Sequence, residues 1–553
     1  MEIFSHVTRG GQLILHKLRM IQQVLWVTGG IGLGVGVSSF ALLMVKSTEQ
    51  YDRYLYQQYA LADLKTTFSF GDASSATQDF TYRDGKTREV RSQDILTNRA
   101  VKEAVTRVET IARKQGFRSF WLSLLSLFLV MLYFGYKGRA KIIKKLERGS
   151  RLLDAQKLTQ LIKKQKLASD LNLDGLPLVK NKETSHILIT GTTGSGKSNC
   201  LHTLLPQIRA RGDRALIVDL TGELEARYLK SSDLLLNPFD ERSQSWTPWA
   251  DCPFEPHYDQ LAAAIVPPLH TQEIFWQNAA KALLSTALQK TKDTQDIQQV
   301  YHLLVSENLT QFCQFFKKTE AAPYTHVDGE KMTLSVRATL ANHLQWLKLL
   351  KNTSEPFSVR KWAQEETNQW LFLTARPDQR ETLRPLLSAW FEIAINGLMS
   401  TKPDSTRRLW FIIDELPSLQ KLPSLDVAMA ESRKYGGCVL AGVQSFPQLN
   451  ALYGANKAQS LLDLFNTKIF FRNTDPNTSQ WISRVLGEVE TTEHIENLSY
   501  GANTIRDGVS LSQQTKTKPL ILPTEITALE DLEAFIKLPG DLPVGRLTMT
   551  YKK

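Results

Sequence analysis

Residues 191–198 read GTTGSGKS, and few eight-residue stretches restrict a fold so tightly. The apolar run HILIT (186–190) stands directly before it, and a helix-like stretch begins at Asn199. A G-x-x-x-x-G-K-[ST] loop between a buried strand and a helix turns its backbone N–H groups inward around a phosphate. Glycine is needed where a Cβ would obstruct that approach. The positive end of the following helix points at the same anion. Gly191, Thr192, Thr193, Gly194, Ser195, Gly196, Lys197, Ser198 and Asn199 are therefore the candidate nucleotide-binding residues. Lys197 is suited to reach the β- and γ-phosphates of ATP, and the Ser198 hydroxyl to hold Mg2+.

Such a loop supplies half a site. The other half should be an acid at the end of a second buried strand. The run LWFII (409–413) ends in Asp414 and Glu415. Asp414 is the candidate Mg2+ ligand, and Glu415 the candidate base that activates the attacking water. Further short apolar runs lie at 214–219 (RALIVD), 370–374 (WLFLT), 438–443 (CVLAGV) and 468–471 (KIFF). Strands alternating with helices predict an α/β fold with a mostly parallel sheet covered on both faces. Ligands bind at the carboxyl ends of such strands, where Asp219, Asp414 and Gln444 fall.

Two stretches near the N-terminus, 24–45 and 120–136, carry no charge. At about 1.5 Å rise per residue, such lengths suit a hydrocarbon core of about 30 Å. Trp121 stands at one end of the second stretch, with Tyr133 and Tyr136 at the other, as interfacial aromatics do. Lys137, Arg139, Lys141, Lys144, Lys145, Arg148 and Arg151 follow at once, and Arg9, Lys17 and Arg19 precede the first stretch. By the positive-inside rule both ends lie in the cytoplasm, with 46–119 as an external loop. The first apolar run is too long for a signal peptide and lacks an A-x-A-like cleavage site. Its glycines pair at small-xxx-small spacing, Gly30 with Gly34 and Gly32 with Gly36, which favours close helix packing. In the external loop, 71–81 reads as a turn-rich tip and 92–115 as a polar helix, with no catalytic constellation.

From 251 to 352 the pattern is helical. Amphipathic stretches at 260–266, 275–289, 297–305 and 334–350 are punctuated by Pro253, Pro256, Pro267, Pro268 and Pro323. Lys317, Lys318, Lys331, Arg337 and Lys348 are candidates for lining a DNA entrance, against the plainer reading of solvated side chains. The net charge of +11 fits contact with phosphate backbones or anionic lipid. Four cysteines, at 200, 252, 313 and 438, match no zinc spacing and read as small core residues.

In this frame the chain resembles TraD/TrwB-type coupling proteins of conjugative type IV secretion systems. The resemblance runs through Asp219-Leu-Thr-Gly-Glu223, Leu236-Asn-Pro-Phe-Asp240 with Arg242 and Trp246, and Phe275-Trp-Gln-Asn-Ala-Ala280. It continues through Phe357-Ser-Val-Arg-Lys-Trp362, Asp414-Glu-Leu-Pro417, Ser432-Arg-Lys-Tyr-Gly-Gly437, Gly442-Val-Gln-Ser445 and Phe465-Asn-Thr467. The tail run 499–508 is most similar to the F-type TraD branch. The resemblance implies a RecA-like motor (151–250 and 353–553), an inserted all-α domain (251–352), and a membrane anchor (1–150) with two transmembrane helices. It implies a hexameric ring at the bacterial inner membrane, with the motor in the cytoplasm, beside the secretion channel proteins. Single-stranded DNA led by a relaxase would pass through the ring. By position, Arg433 matches an arginine finger reaching a neighbouring subunit's nucleotide, and Gln444 a sensor glutamine. F-type relatives carry a long C-terminal extension that docks a relaxosome protein. This chain ends at Lys553, so docking is expected through the helical insert or an adaptor.

Three other classes share parts of the pattern. An FtsK-class translocase moves double-stranded DNA, usually with more spans and a winged-helix tail, and no helix-turn-helix pattern follows Ser483. A secretion ATPase pushing proteins would use the same chemistry. A non-enzymatic membrane scaffold would not need Lys197, Ser198, Asp414 and Glu415 together.

Overall fold

Short apolar runs become the strands of one mixed ten-stranded sheet in the computed structural model, which describes residues 2–68, 76–142, 145–267, 274–499 and 508–552. In chain order these strands are β1 (Leu152–Asp154), β2 (Ile187–Thr190), β3 (Arg214–Asp219), β4 (Leu234–Leu236) and β5 (Leu371–Thr374). They continue with β6 (Leu409–Ile413), β7 (Gly437–Val443), β8 (Thr467–Phe471), β9 (Glu533–Lys537) and β10 (Val544–Thr548). Across the sheet the order is β1-β10-β9-β8-β2-β7-β6-β3-β5-β4. From β8 to β4 every neighbouring pair is parallel. Beyond β8 the chain adds β9 and β10 in antiparallel pairing, with β1 parallel at the edge. The sheet is thus mostly parallel, as expected, with an antiparallel wing that comes from the C-terminal segment.

Successive strand residues point to opposite faces. Leu188, Leu216, Phe411 and Ala441 enter one apolar core, while Ile187, Ile217, Ile412 and Leu440 enter the other. Burial on both faces explains why these strands read as unbroken apolar runs rather than alternating ones. The helix Lys197–Ala210 packs on the second face through Cys200, Leu201, Leu204 and Ile208. All four cysteines are buried and free, and burial pushes the Cys252 thiol up to about 12.

Among the described residues of 255–341 lie five α-helices: Glu255–Ile265, Ile274–Lys290, Ile297–Tyr301, Leu309–Phe316 and Glu330–Ala341. Their apolar sides join the first core without a break, so Leu261, Leu283 and Leu340 belong to the same cluster as Leu216. The last amphipathic stretch stops at Ala341, well short of residue 350, and a separate 3-10 turn covers Leu347–Leu349. Arg337 is not a solvated or DNA-facing cation. It donates to the carbonyls of Leu304 at 3.0 Å and Glu307 at 2.6 Å and lies over the Phe312 ring. Lys317, Lys318, Lys331 and Lys348 are exposed.

Asp251 ties the two ends of this helical stretch together. Its carboxylate accepts from Trp246 Nε1 (2.6 Å), Ser358 Oγ (2.6 Å), Val359 N (3.2 Å) and Arg360 N (2.8 Å). Burial raises its pKa, and the hydrogen bonds oppose that shift. Asp251→Ala leaves buried donors without an acceptor. It should cost about 3 kcal/mol, seen as a lower midpoint in urea unfolding.

Two helices near the N-terminus are long and apolar enough to cross a membrane, over Ile21–Ser47 and Arg99–Lys137. Only 11% and 6% of their most apolar windows are buried, which excludes two core helices of a soluble fold. Ser123 Oγ donates to the Gly32 carbonyl at 2.7 Å, and a Cβ on Gly36 would sit 3.3 Å from Ser123 Cβ. One small-residue pair therefore serves the partner helix of the same chain, while Gly30 and Gly34 face open space. Between the spans the chain folds rather than looping freely. Helix Gln50–Thr67, the hairpin Thr77–Thr81 with Thr87–Arg91, and the short helix Ser92–Thr97 enclose Leu55, Phe80, Ile95 and Val105. The stretch read as one polar helix (92–115) breaks at Asn98, whose side chain caps the next helix by accepting from Ala100 N. The tip at 71–75, Pro268, residues 500–507 of the tail run, and the side chains of Arg9, Lys17, Arg139, Lys141, Lys144 and Lys145 lie outside the described residues.

Candidate functional site

The loop after β2 holds its shape through its own backbone and β8. Thr192 N donates to the Arg472 carbonyl at 2.9 Å, and Ser195 Oγ donates to the Thr192 carbonyl at 2.7 Å. Gly196 has φ 124°, a conformation side chains resist, and a Cβ there would press on the Phe471 ring. Lys197 Nζ donates to the Gly191 carbonyl at 2.8 Å, so the ammonium sits inside the ring of the loop. Burial lowers its pKa, and the charges of Glu415 and Asp414 oppose that shift.

Strand β6 delivers the acids. At Asp414 burial raises the carboxyl pKa, Lys197 lowers it, and Asp219 and Glu223 raise it. Burial lifts Glu415 to about 7, against Lys197 and a hydrogen bond from Gln444 N at 3.3 Å. Glu415 Oε2 is buried with no hydrogen-bond partner. A buried, unsatisfied carboxylate oxygen beside a phosphate loop suits a water or a hydrated cation. The adjoining strand β7 carries Gln444 at its end, and Gly442 lets the two strands meet. A Cβ at Gly442 would overlap the Asp414 carbonyl oxygen. Asn473 Nδ2 holds the Gln444 carbonyl at 2.9 Å.

A cleft of about 610 Å³ joins these parts. Thr192, Thr193, Gly194, Gly196, Lys197 and Ser198 line it on the loop side, with Asp414 and Gln444 opposite. Ser198 and Asp414 thus share one cleft, and they are the pair suited to Mg2+. Asp219 is unsuited, because its carboxylate already accepts from Thr221 N, Thr221 Oγ1, Gly222 N and Glu225 N. Arg433 is exposed, in a 3-10 turn after the helix Leu425–Ser432, and is not among the residues lining this cleft. Gly191, Ser195 and Glu415 stand behind the lining rather than in it.

Several lining residues had no assigned role in the sequence. His202, one turn along the loop helix, meets Glu223 Oε1 at 2.8 Å and the Tyr228 hydroxyl at 3.1 Å. Glu223 was visible as the last residue of the Asp219-Leu-Thr-Gly-Glu223 motif, without a function attached. Asp531, Leu532, Tyr551 and Lys552 arrive from far along the chain, where no local pattern marks them. Asn199 lines the cleft, but its amide is engaged by the tail. Nδ2 donates to the Thr550 carbonyl at 3.0 Å, and Oδ1 accepts from Lys552 N at 2.7 Å.

A lysine clamped in a glycine loop, facing an acid pair two strands away in a covered α/β sheet, defines a phosphate-loop nucleotide-binding protein. The family described as type IV secretion-system coupling protein DNA-binding domain matches residues 170–550. The chain belongs to that coupling-protein family. It is 32% identical to the coupling protein TraD of Escherichia coli K12 over 442 residues, which is 78% of this chain and 62% of TraD. It is 25% identical to the VirD4 protein of Rhizobium rhizogenes over 33% of this chain and 27% of VirD4. The chain thus spans less than two thirds of either relative's length. Among solved structures, unbound coupling protein TrwBdeltaN70 superposes with a TM-score of 0.67 at 29% identity, covering 74% of this chain and 96% of that one. TrwB is also known in complex with ADP and Mg2+, with a TM-score of 0.66 at the same identity and 95% coverage of that chain.

Proposed function

We propose that this chain is a membrane-anchored, hexameric ATPase that couples a relaxase-bound substrate to the secretion channel and pumps single-stranded DNA during conjugation. The observation that carries the reading is the cleft holding Lys197, Ser198 and Asp414, backed by the buried Glu415, in a chain of the coupling-protein family. One relative, TrwB, solved with ADPNP, with ADP and Mg2+, and with GDPNP, supports a nucleotide in this cleft. Membrane anchoring is supported by the two apolar helices, and an inner-membrane location with a cytoplasmic motor by the basic flanks.

In this reading Lys197 neutralises the β- and γ-phosphates, and Ser198 with Asp414 holds Mg2+, which spreads the charge that develops on the γ-phosphate. Glu415 takes a proton from the attacking water, while Gln444 reports the nucleotide state through its hydrogen bond to Glu415. Arg433 of each subunit reaches the cleft of the next. DNA contacts are to phosphate, weaken with salt, and carry little sequence preference.

The test is ATP turnover by the full chain with single-stranded DNA, duplex DNA or none. Strong stimulation by single strands supports the reading. Stimulation by duplex alone points to an FtsK-class translocase, and indifference to DNA points to a protein substrate. Acidity gives a second check. Because burial holds Glu415 near 7, its ionised, proton-accepting form is scarce at low pH and grows as pH rises. The ratio kcat/KM follows the free enzyme, so it should climb with pH and level off above about 7. A flat profile from pH 5.5 upward would remove Glu415 as the base.

A further inference from the structure

The phosphate loop accounts for one end of the cleft. Part of the remaining lining, Asp531, Leu532, Tyr551 and Lys552, comes from the C-terminal segment. The Tyr551 side chain is largely exposed, with 67% of the residue open to solvent, and it borders the cleft. An exposed aromatic at a cleft rim is ordinary unless something holds it there, and here the holding is elaborate.

The Asn199 amide brackets Tyr551, binding the carbonyl before it (Thr550) and the N–H after it (Lys552). Asn199 lies two positions after Lys197, so the backbone on either side of Tyr551 is fixed directly to the phosphate-loop helix. Asp174 adds a second fastening, accepting from Thr550 N and pairing with Lys552 Nζ at 2.8 Å. Leu532 forms the adjoining wall in a conformation side chains resist (φ 67°). Its N–H donates to the Ser195 carbonyl at 2.9 Å, and its own carbonyl accepts from Met549 N at 2.9 Å. The phosphate loop thus grips both Leu532 and the segment carrying Tyr551.

We propose that Tyr551 is the platform on which the purine base of the bound nucleotide stacks, with Leu532 beside it. The inference rests on the nucleotide reading above and goes further, because it also sets base preference. Stacking on a ring tolerates any base, since every base has a π-face. Reading a purine edge needs amide or backbone groups aimed at it, and the Asn199 amide is taken by the tail. Asp531 is paired with Arg472 at 2.7 Å. The site should therefore hold adenine and guanine nucleotides about equally.

Binding of ADPNP, GDPNP and inorganic tripolyphosphate, each with Mg2+, to the full chain in detergent micelles tests this by calorimetry. The wild type should bind ADPNP and GDPNP with Kd values within about threefold of each other, as stacking without edge recognition implies. Tyr551→Ala should weaken both about tenfold and leave tripolyphosphate unchanged, and Tyr551→Phe should bind like wild type. Unchanged ADPNP affinity in Tyr551→Ala, or an equal loss for tripolyphosphate, overturns the platform while leaving the phosphate site standing. A strong preference of the wild type for one purine overturns the claim about base choice. If the wild type binds none of the three ligands, the nucleotide reading itself falls. A melting temperature for Tyr551→Ala equal to wild type separates lost stacking from lost folding.

Discussion

Glu415→Gln should silence ATP turnover while nucleotide binding survives. Glutamine keeps the length of the side chain and an oxygen that can accept from Gln444 N, but it cannot take a proton from water. Loss of a general base lowers the rate by about 10²–10⁴-fold, so kcat should fall by that factor with little change in nucleotide Kd. Lys197→Ala should fail differently. It removes the cation that the loop carbonyl of Gly191 now holds, so both binding and turnover decline. Neither change touches the membrane helices, and both variants should reach the membrane in normal amounts yet give no DNA transfer. Transfer at wild-type frequency by Glu415→Gln would remove the acid pair from the mechanism.

Arg433→Ala should be nearly as damaging, and the loss should be repairable by mixing. A finger supplied in trans contributes about 10³–10⁵-fold to phosphoryl transfer. Arg433 stands in the short turn between the helix Leu425–Ser432 and β7. The base of that helix is pinned from inside by His186. Its Nδ1 accepts from Val439 N at 3.0 Å, which leaves Nε2 to donate to the Met429 carbonyl at 2.8 Å. Burial lowers the His186 pKa to about 4, so this neutral tautomer persists at physiological pH. Arg433 is thus mounted on a fixed base and stands outside the lining of its own cleft. Mixing Arg433→Ala with Lys197→Ala subunits should recover turnover that neither has alone, because some interfaces combine an intact finger with an intact loop. Specific activity should also rise steeply with protein concentration. If strictly monomeric wild-type protein turns over ATP at the full rate, Arg433 has no place in the reaction.

The parts of this chain that were legible beforehand are those whose chemistry is local. The loop at 191–198 and the acids ending β6 announce themselves, since strand, turn and functional group are neighbours in sequence. The central strands were equally plain, because burial on both faces leaves runs such as LWFII with no polar interruption. What escaped was non-local. Strands β9 and β10 are short, and EAFIK and VGRLT are punctuated by charge, so pairing rather than composition makes them strands. Tyr551 reaches the cleft because Asn199 and Asp174 hold the backbone on either side of it and the Lys552 side chain. Arg337 read as a solvated arginine or a cation for DNA, whereas its guanidinium lies on two carbonyls and a phenyl ring. The residues between the spans looked like a loop because their core is small. Leu55, Phe80 and Val105 lie far apart in sequence, and only Ile95 is near another of them.

Backbone meets backbone at Gly442, and that contact governs timing as well as space. A side chain between two strands can change rotamer and absorb a shift, whereas two main chains in direct contact cannot. The ends of β6 and β7 therefore behave like meshed gears without play. On the proposed sensor role of Gln444, a pull on its strand is passed to the strand bearing Asp414 and Glu415. Under that role the sensor and the acid would shift together rather than one lagging the other. Around a ring, that lack of slack would make each firing a discrete click that the neighbour feels whole.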